Sequence, residues 1–259
     1  MFDKGSGPTV VVIQGLQGRW QWMTPFLEAL SARCRVVAYT LAGDFGSDRR
    51  MDPDQGFDLF VRQLEDVMNG AGIERAALCG ISFGGTVAVR YAALHPERVT
   101  HLVIASSPGP GFRTNARQEA YVSRPLLTLP MFLSTSLARL RVEIATALPA
   151  LRDRVTFVVR SGLLVVRYPA WPPLMARRVR LMQAVDLADD CARISTPTLV
   201  VTGHPSLDRV VPVDSTRQYL SHIRDSRYEM MEKTGHSGSL TQPEQLARIV
   251  GTFVNASSS

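Results

Sequence analysis

Cysteine is scarce in this chain of 259 residues, and its placement excludes more than its count. Cys34, Cys79 and Cys191 are odd in number and spaced for neither a disulfide framework nor a thiolate metal site. They read as small buried apolar residues in a reducing compartment. Long apolar runs are missing as well: the first, Val10 to Ile13, falls far short of the roughly 18 residues of a membrane span. The opening Met1 to Pro8 has no basic segment leading into an apolar one, so an unexported, cytoplasmic protein is expected, with no integral membrane segment. No basic run interleaved with aromatics occurs, which argues against a nucleic-acid partner. Neither a His/Cys/carboxylate cluster nor a phosphate-cradling glycine loop is present, so no metal and no cofactor is expected. Low-complexity sequence is confined to the closing Ala-Ser-Ser-Ser.

What is present is an ordinary globular composition, 45% hydrophobic and 20% charged, on a chain long enough for one large α/β domain. The net charge of +6 is unevenly distributed. From Gly111 to Arg193 there are 13 arginines, no lysine and six acidic residues, which accounts for the whole excess. Such asymmetry suits an acidic substrate, a membrane surface or a partner, or is simply a solvated face.

Short β-branched runs alternate with segments of helical period, the pattern of crossover units in a mostly parallel sheet flanked by helices. The strand candidates are Thr9 to Ile13, Arg35 to Thr40, Ala76 to Cys79, His101 to Ala105, Thr198 to Thr202 and Arg227 to Met231. Phe57, Phe60, Leu64, Val67 and Met68 form one helical stripe closed by Gly70 and Gly72, and Gly85 to Leu94 is a small-residue helix stopped before Pro96. Trp22 to Leu30 and Gln245 to Val254 read as further helices. Residues 111–190, rich in Leu, Arg and Pro, break the rhythm and suggest several short helices. The expectation is an α/β core of residues 1–110 and 191–259 with a helical cap of residues 111–190.

Gly80-Ile81-Ser82-Phe83-Gly84 follows the third strand candidate and opens a helix. Small flanking residues permit a sharp strand-to-helix turn that lifts Ser82 above the sheet, its hydroxyl at the helix N-terminus. The same string elsewhere would be a plain glycine turn; the junction makes Ser82 a candidate nucleophile.

On this motif and its setting the sequence resembles the α/β-hydrolase superfamily, over nearly the whole chain outside the cap. The nearest-looking branch holds small esterases, enol-lactone hydrolases, carbon-carbon bond hydrolases and cofactor-free haloperoxidases. The resemblance implies an acid after the next-to-last strand and a histidine after the last. Gly203-His-Pro-Ser-Leu-Asp208-Arg-Val-Val-Pro212 is similar to the family's acid loop, two residues longer than usual before the aspartate, and it assigns Asp208; Asp214, placed to cap a following helix, is the competitor. Thr234-Gly235-His236-Ser237-Gly238 occupies the position of the family's base, with His204 as the rival to His236. The resemblance also implies an oxyanion hole from the backbone N–H groups of Leu16 and Phe83. Relatives usually carry His-Gly where this chain has Gln14-Gly15, but the Gln14 amide can still donate to a loop carbonyl and brace the turn.

By the same resemblance the first two family strands are absent, since only eight residues precede Thr9. That would leave Arg35 to Thr40 as an edge strand, open to a homodimer or hidden by a covering segment. The implied chemistry is acyl transfer: His236 deprotonates Ser82, Ser82 attacks a carbonyl, and Asp208 orients the imidazole. The substrate would be a small molecule with an apolar part; Trp20, Trp22, Phe45, Phe83, Tyr168 and Trp171 are candidates for its apolar wall, each of which reads more readily as plain core, and a cap arginine could bind a carboxylate on it. Three readings remain open: a serine hydrolase of esters, lactones or thioesters; a carbon-carbon hydrolase or perhydrolase with the same triad; and a non-catalytic binding protein on the same scaffold.

Overall fold

The computed structural model describes residues 1–256. One sheet contains β1 (Phe2–Lys4), β2 (Thr9–Ile13), β3 (Arg35–Ala38), β4 (Ala76–Ile81), β5 (Val99–Ala105), β6 (Thr198–Thr202) and β7 (Ser226–Met230), in the order β1-β3-β2-β4-β5-β6-β7. Every neighbouring pair is parallel except β1 with β3. The α-helices among the described residues are α1 (Thr24–Ser31), α2 (Asp58–Gly70), α3 (Phe83–Leu94), α4 (Ala116–Ser123), α5 (Leu129–Ala147), α6 (Leu151–Arg167), α7 (Pro172–Gln183), α8 (Leu187–Ala192), α9 (Val213–Arg217), α10 (Tyr219–His222), α11 (Gly238–Thr241) and α12 (Pro243–Asn255).

A strand buried on both faces needs apolar side chains at every position, and β2, Thr-Val-Val-Val-Ile, shows why its sequence does not alternate. Val10 and Val12 point toward α1 and α12, with Phe26, Leu30 and Val250. Val11 and Ile13 point toward α2, α3 and α8, with Phe60, Leu64 and Val87. Cys34, Cys79 and Cys191 are all buried and unpaired, and burial pushes the Cys79 and Cys191 thiols up to about 12.

Of the two outcomes expected for the Arg35 strand, a homodimer or a covering segment, the structure has the covering segment. A strand precedes Thr9, so β3 is not the sheet's edge: Phe2, Asp3 and Lys4 pair antiparallel with Ala38, Val37 and Val36. Arg35 Nη2 donates to Asp3 Oδ2 at 2.8 Å and fastens the short strand. Phe2 is buried and packs on Trp20 at 5.6 Å between ring centroids. The signal was weak because three residues, Phe-Asp-Lys, are too short to display a period. The edge that suggested a dimer is therefore already paired.

Helices α4 to α8 lie between β5 and β6. The last of them, α8, crosses residue 190 and packs on α3 through Leu187 and Cys191, so it shares the core of the sheet.

Candidate active site

Three loops at the carboxyl ends of β4, β6 and β7 meet at Ser82. The β4-to-α3 turn forces Ser82 to φ 53° and ψ −119°, a left-handed conformation costing about 1–3 kcal/mol that the surrounding structure must over-determine. Two approaches enforce it. A Cβ on Gly84 would sit 2.1 Å from the Ile13 carbonyl oxygen, so only glycine lets α3 start this close to β2. Ser82 N–H donates to the Ala105 carbonyl at 2.8 Å, tying the turn to β5. Beneath it, the Phe83 ring is buried edge-on against Phe60, 5.1 Å away.

His236 follows β7. Its Nε2 lies 3.2 Å from Ser82 Oγ and its Nδ1 3.4 Å from Asp208 Oδ2. Asp208 is buried, and its other oxygen accepts from the N–H groups of Val210 at 3.0 Å and Val211 at 3.1 Å. An ionised carboxylate only accepts, so Nδ1 carries the imidazole proton and Nε2 is left to accept from the serine hydroxyl. The two extra residues before Asp208 are absorbed in a turn in which the Leu207 and Asp208 N–H groups both donate to the His204 carbonyl. The acid and histidine loops cross at Gly235, where a Cβ would meet the Leu207 carbonyl oxygen at 2.5 Å. The competitors lie elsewhere: Asp214 is exposed in the first turn of α9, and the exposed His204 ring bonds Ser206 Oγ at 2.8 Å.

Leu16 and Phe83 both border the cleft beside Ser82. Phe83 opens α3, so its N–H has no acceptor within the helix. Gly15 brings the β2 turn to the serine, where a Cβ would lie 3.5 Å from Ser82 Cβ. Gln14 does brace this turn: its fully buried amide donates to the Gly18 carbonyl at 3.0 Å and to the Tyr39 carbonyl.

Two groups that sequence reasoning missed hold these loops from the inserted helices. Arg178 of α7, 0% exposed, donates through Nη1 to the Leu16 carbonyl at 2.7 Å, through Nη2 to the Ala42 carbonyl at 2.9 Å, and to Asp44 Oδ2. Burial opposes both charges, pushing the Asp44 carboxyl up and the Arg178 guanidinium down, and their mutual attraction opposes that push. Nothing in the sequence separates this arginine from the twelve others between Gly111 and Arg193. Glu143 of α5, 3% exposed, accepts from Thr234 Oγ1 at 2.8 Å and from the Ser237 N–H at 2.9 Å, clasping both sides of His236. It is the sole acidic residue of α5, the one signal that could have drawn attention to it.

Burial alone would lower the His236 pKa, but the charge and hydrogen bond of Asp208, with the charge of Glu143, outweigh it and raise the value. The protonated ring therefore favours the folded state. That contribution is full below the unfolded value of about 6.5 and is lost as pH rises through the folded value. Glu143→Gln removes one of the two anions. An NMR titration of the ring should show its midpoint at lower pH than in the parent protein; an unmoved or higher midpoint would refute the role of Glu143.

The cleft is about 960 Å³ counted to its open mouth, and its lining is mainly apolar, including Leu129, Phe132, Met175 and Val179. Of the six aromatic candidates for its wall, Phe83 alone lines it. Phe45 and Trp171 are exposed, Trp20 packs on Phe2, and Trp22 donates to the Tyr168 carbonyl at 3.0 Å. Arg139 of α5 is the one charged side chain among the described residues of the lining, anchored by Nε to the Thr135 carbonyl at 3.1 Å. No group of three or more metal-ligating side chains occurs among the described residues.

A mostly parallel sheet with a serine at a strained strand-to-helix turn and a histidine arriving after the last strand is the frame of an α/β-hydrolase. The chain belongs to the alpha/beta hydrolase family, whose model matches residues 8–249. It is 26% identical to a putative carbamate hydrolase of Pseudomonas savastanoi pv. phaseolicola, covering 96% of this chain and 94% of that one. To a pimeloyl-[acyl-carrier protein] methyl ester esterase of Nitrosomonas europaea it is 28% identical, covering 93% of each. The enol-lactonase of Burkholderia xenovorans LB400 superimposes with a TM-score of 0.80 at 19% identity, over 98% of this chain and 95% of that one.

Proposed function

We propose that this hydrolase is a serine esterase that cleaves a carboxylic ester, lactone or thioester through an acyl-enzyme on Ser82. The observation that carries the reading is the contact chain from Asp208 through His236 to Ser82, at 3.4 and 3.2 Å. In the proposed cycle His236 Nε2 takes the Ser82 proton as Oγ attacks the substrate carbonyl. The carbonyl oxygen becomes an oxyanion held by the Leu16 and Phe83 N–H groups. His236 then protonates the leaving group, and water repeats the steps to release the acid. Asp208 keeps the proton on Nδ1 and stabilises the imidazolium; no step calls for a metal or cofactor. Residues 111–190 serve as the cap that shapes the acyl pocket, and a cytoplasmic setting accords with three buried, unpaired thiols.

The apolar lining favours a substrate with an aliphatic or aromatic part, and Arg139 favours a carboxylate or another acceptor at its far end. The esterase named above, from Nitrosomonas europaea, accords with ester chemistry. A fluorophosphonate should label the protein, with the adduct on the peptide containing Ser82. Absence of labelling in the folded protein would sink the acyl-enzyme reading and leave a binding protein. Labelling without turnover of a panel of p-nitrophenyl esters and lactones would point the same triad at carbon-carbon bonds or perhydrolysis.

A further inference from the structure

Helix α6 is poorly sheltered for its composition. Its 17 residues include no buried one. Its main packing partner is the turn at Trp20–Met23, reinforced just past its C-terminus by the Trp22 bond to the Tyr168 carbonyl. On the side turned away from that contact, Val155, Val159, Leu163 and Val166 recur at i, i+4, i+8 and i+11, with exposures of 53%, 56%, 66% and 82%. This is the spacing of a single helical face, laid toward solvent. An apolar stripe of this length on a free surface marks a contact with something else.

The charges beside the stripe narrow what that is. Helix α6 carries four arginines and one acidic residue, Asp153. Arg154 turns inward and donates to the Pro149 carbonyl at 3.1 Å, whereas Arg152, Arg160 and Arg167 are exposed along or beside the stripe, Arg160 and Arg167 with Thr156 edging a shallow groove over it. A second copy of this chain, meeting the stripe about a two-fold axis, would set arginines against arginines. A nucleic acid would use the arginines and leave the valines in water. A lipid surface bearing negative headgroups satisfies both rows at once. No helix among the described residues is long and apolar enough to cross a bilayer, so the seating is in the plane of the interface.

We propose that α6 docks this protein on an anionic lipid surface, with Val155, Val159, Leu163 and Val166 among the acyl chains and Arg152, Arg160 and Arg167 on headgroup phosphates. The surface is separate from the Ser82 cleft, and the proposal goes beyond the esterase reading and does not depend on it.

Co-sedimentation of the full chain with vesicles tests it. Binding to phosphatidylcholine–phosphatidylglycerol vesicles should exceed binding to pure phosphatidylcholine by about tenfold or more and should weaken as salt rises. The double variant Val159→Asp/Leu163→Asp should lose binding to both vesicle types. Arg152→Ser/Arg160→Ser, which alters only exposed side chains, should lose the preference for the anionic ones. Both variants should keep the parent's Tm and its hydrolysis of a soluble ester, if it has one. Equal binding to neutral vesicles, or binding to neither, would overturn the proposal. So would a dimer in sedimentation equilibrium that Val159→Asp/Leu163→Asp dissolves while vesicles go unbound. Since the readout is sedimentation, failure of the esterase reading leaves this test intact.

Discussion

Ser82→Ala should lower kcat on any ester the protein hydrolyses by about a million-fold, with little change in KM. The size follows from the proposed role: without its nucleophile the imidazole would have nothing to activate, and residual rate would come only from binding and the proposed oxyanion donors. His236→Ala should cost about as much, and the double variant little more, because residues that act as a unit do not add. A matched substitution separates chemistry from folding. Ser82 holds φ 53°, so Ser82→Gly should raise stability by about 1 kcal/mol by relieving the strained backbone while abolishing activity as completely as alanine does. Retention of more than about a hundredth of the parent kcat in Ser82→Ala, in a preparation free of contaminating esterase, would remove Ser82 from the reaction.

The second large effect is expected at a residue that touches no reacting atom. Arg178→Ala should destabilise the fold by about 3–5 kcal/mol, because it strands the buried Asp44 carboxylate and two carbonyls without their donor. For a chain of this size that is a fall in Tm on the order of 10 °C. It should also lower kcat, since the Leu16 carbonyl loses the bond that fixes the turn proposed to supply an oxyanion donor. The paired variant Asp44→Asn/Arg178→Met removes the stranded charge along with its partner. It should recover much of the stability and little of the activity. If both quantities return together, the arginine acts through bulk stability alone and does not position the turn.

The different fates of Ser82 and Arg178 as sequence signals have one cause. Ser82 sits among glycines at a strand-to-helix junction, a local pattern whose geometry follows from steric limits on neighbouring residues, so it is readable in five letters. The six strands proposed from β-branched runs all exist, within a few residues of their ends, because burial on both faces dictates composition strand by strand. β1 escaped notice because its three residues are too few to show either a period or a β-branched run. The pocket wall was illegible for a different reason. Aromatic residues announce burial but not the cavity they face, and the inserted helices line the cleft with Leu129, Phe132 and Met175 while Trp171 stays exposed.

By itself, then, the order of residues determined the alternation of strands and helices and the turn bearing Ser82, while Asp208 and His236 were singled out from Asp214 and His204 by the likeness of their loops to those of a family. The alternation and the turn are local matters, settled by neighbours a few positions apart. Tertiary structure alone decided that Glu143 would clasp the histidine loop from 94 residues away from Ser237, that Arg178 would reach Leu16 across 162, and that α6 would be left bare. Charge and hydrogen bonding act through space, and no periodicity along the chain records which of 13 arginines the fold will bury.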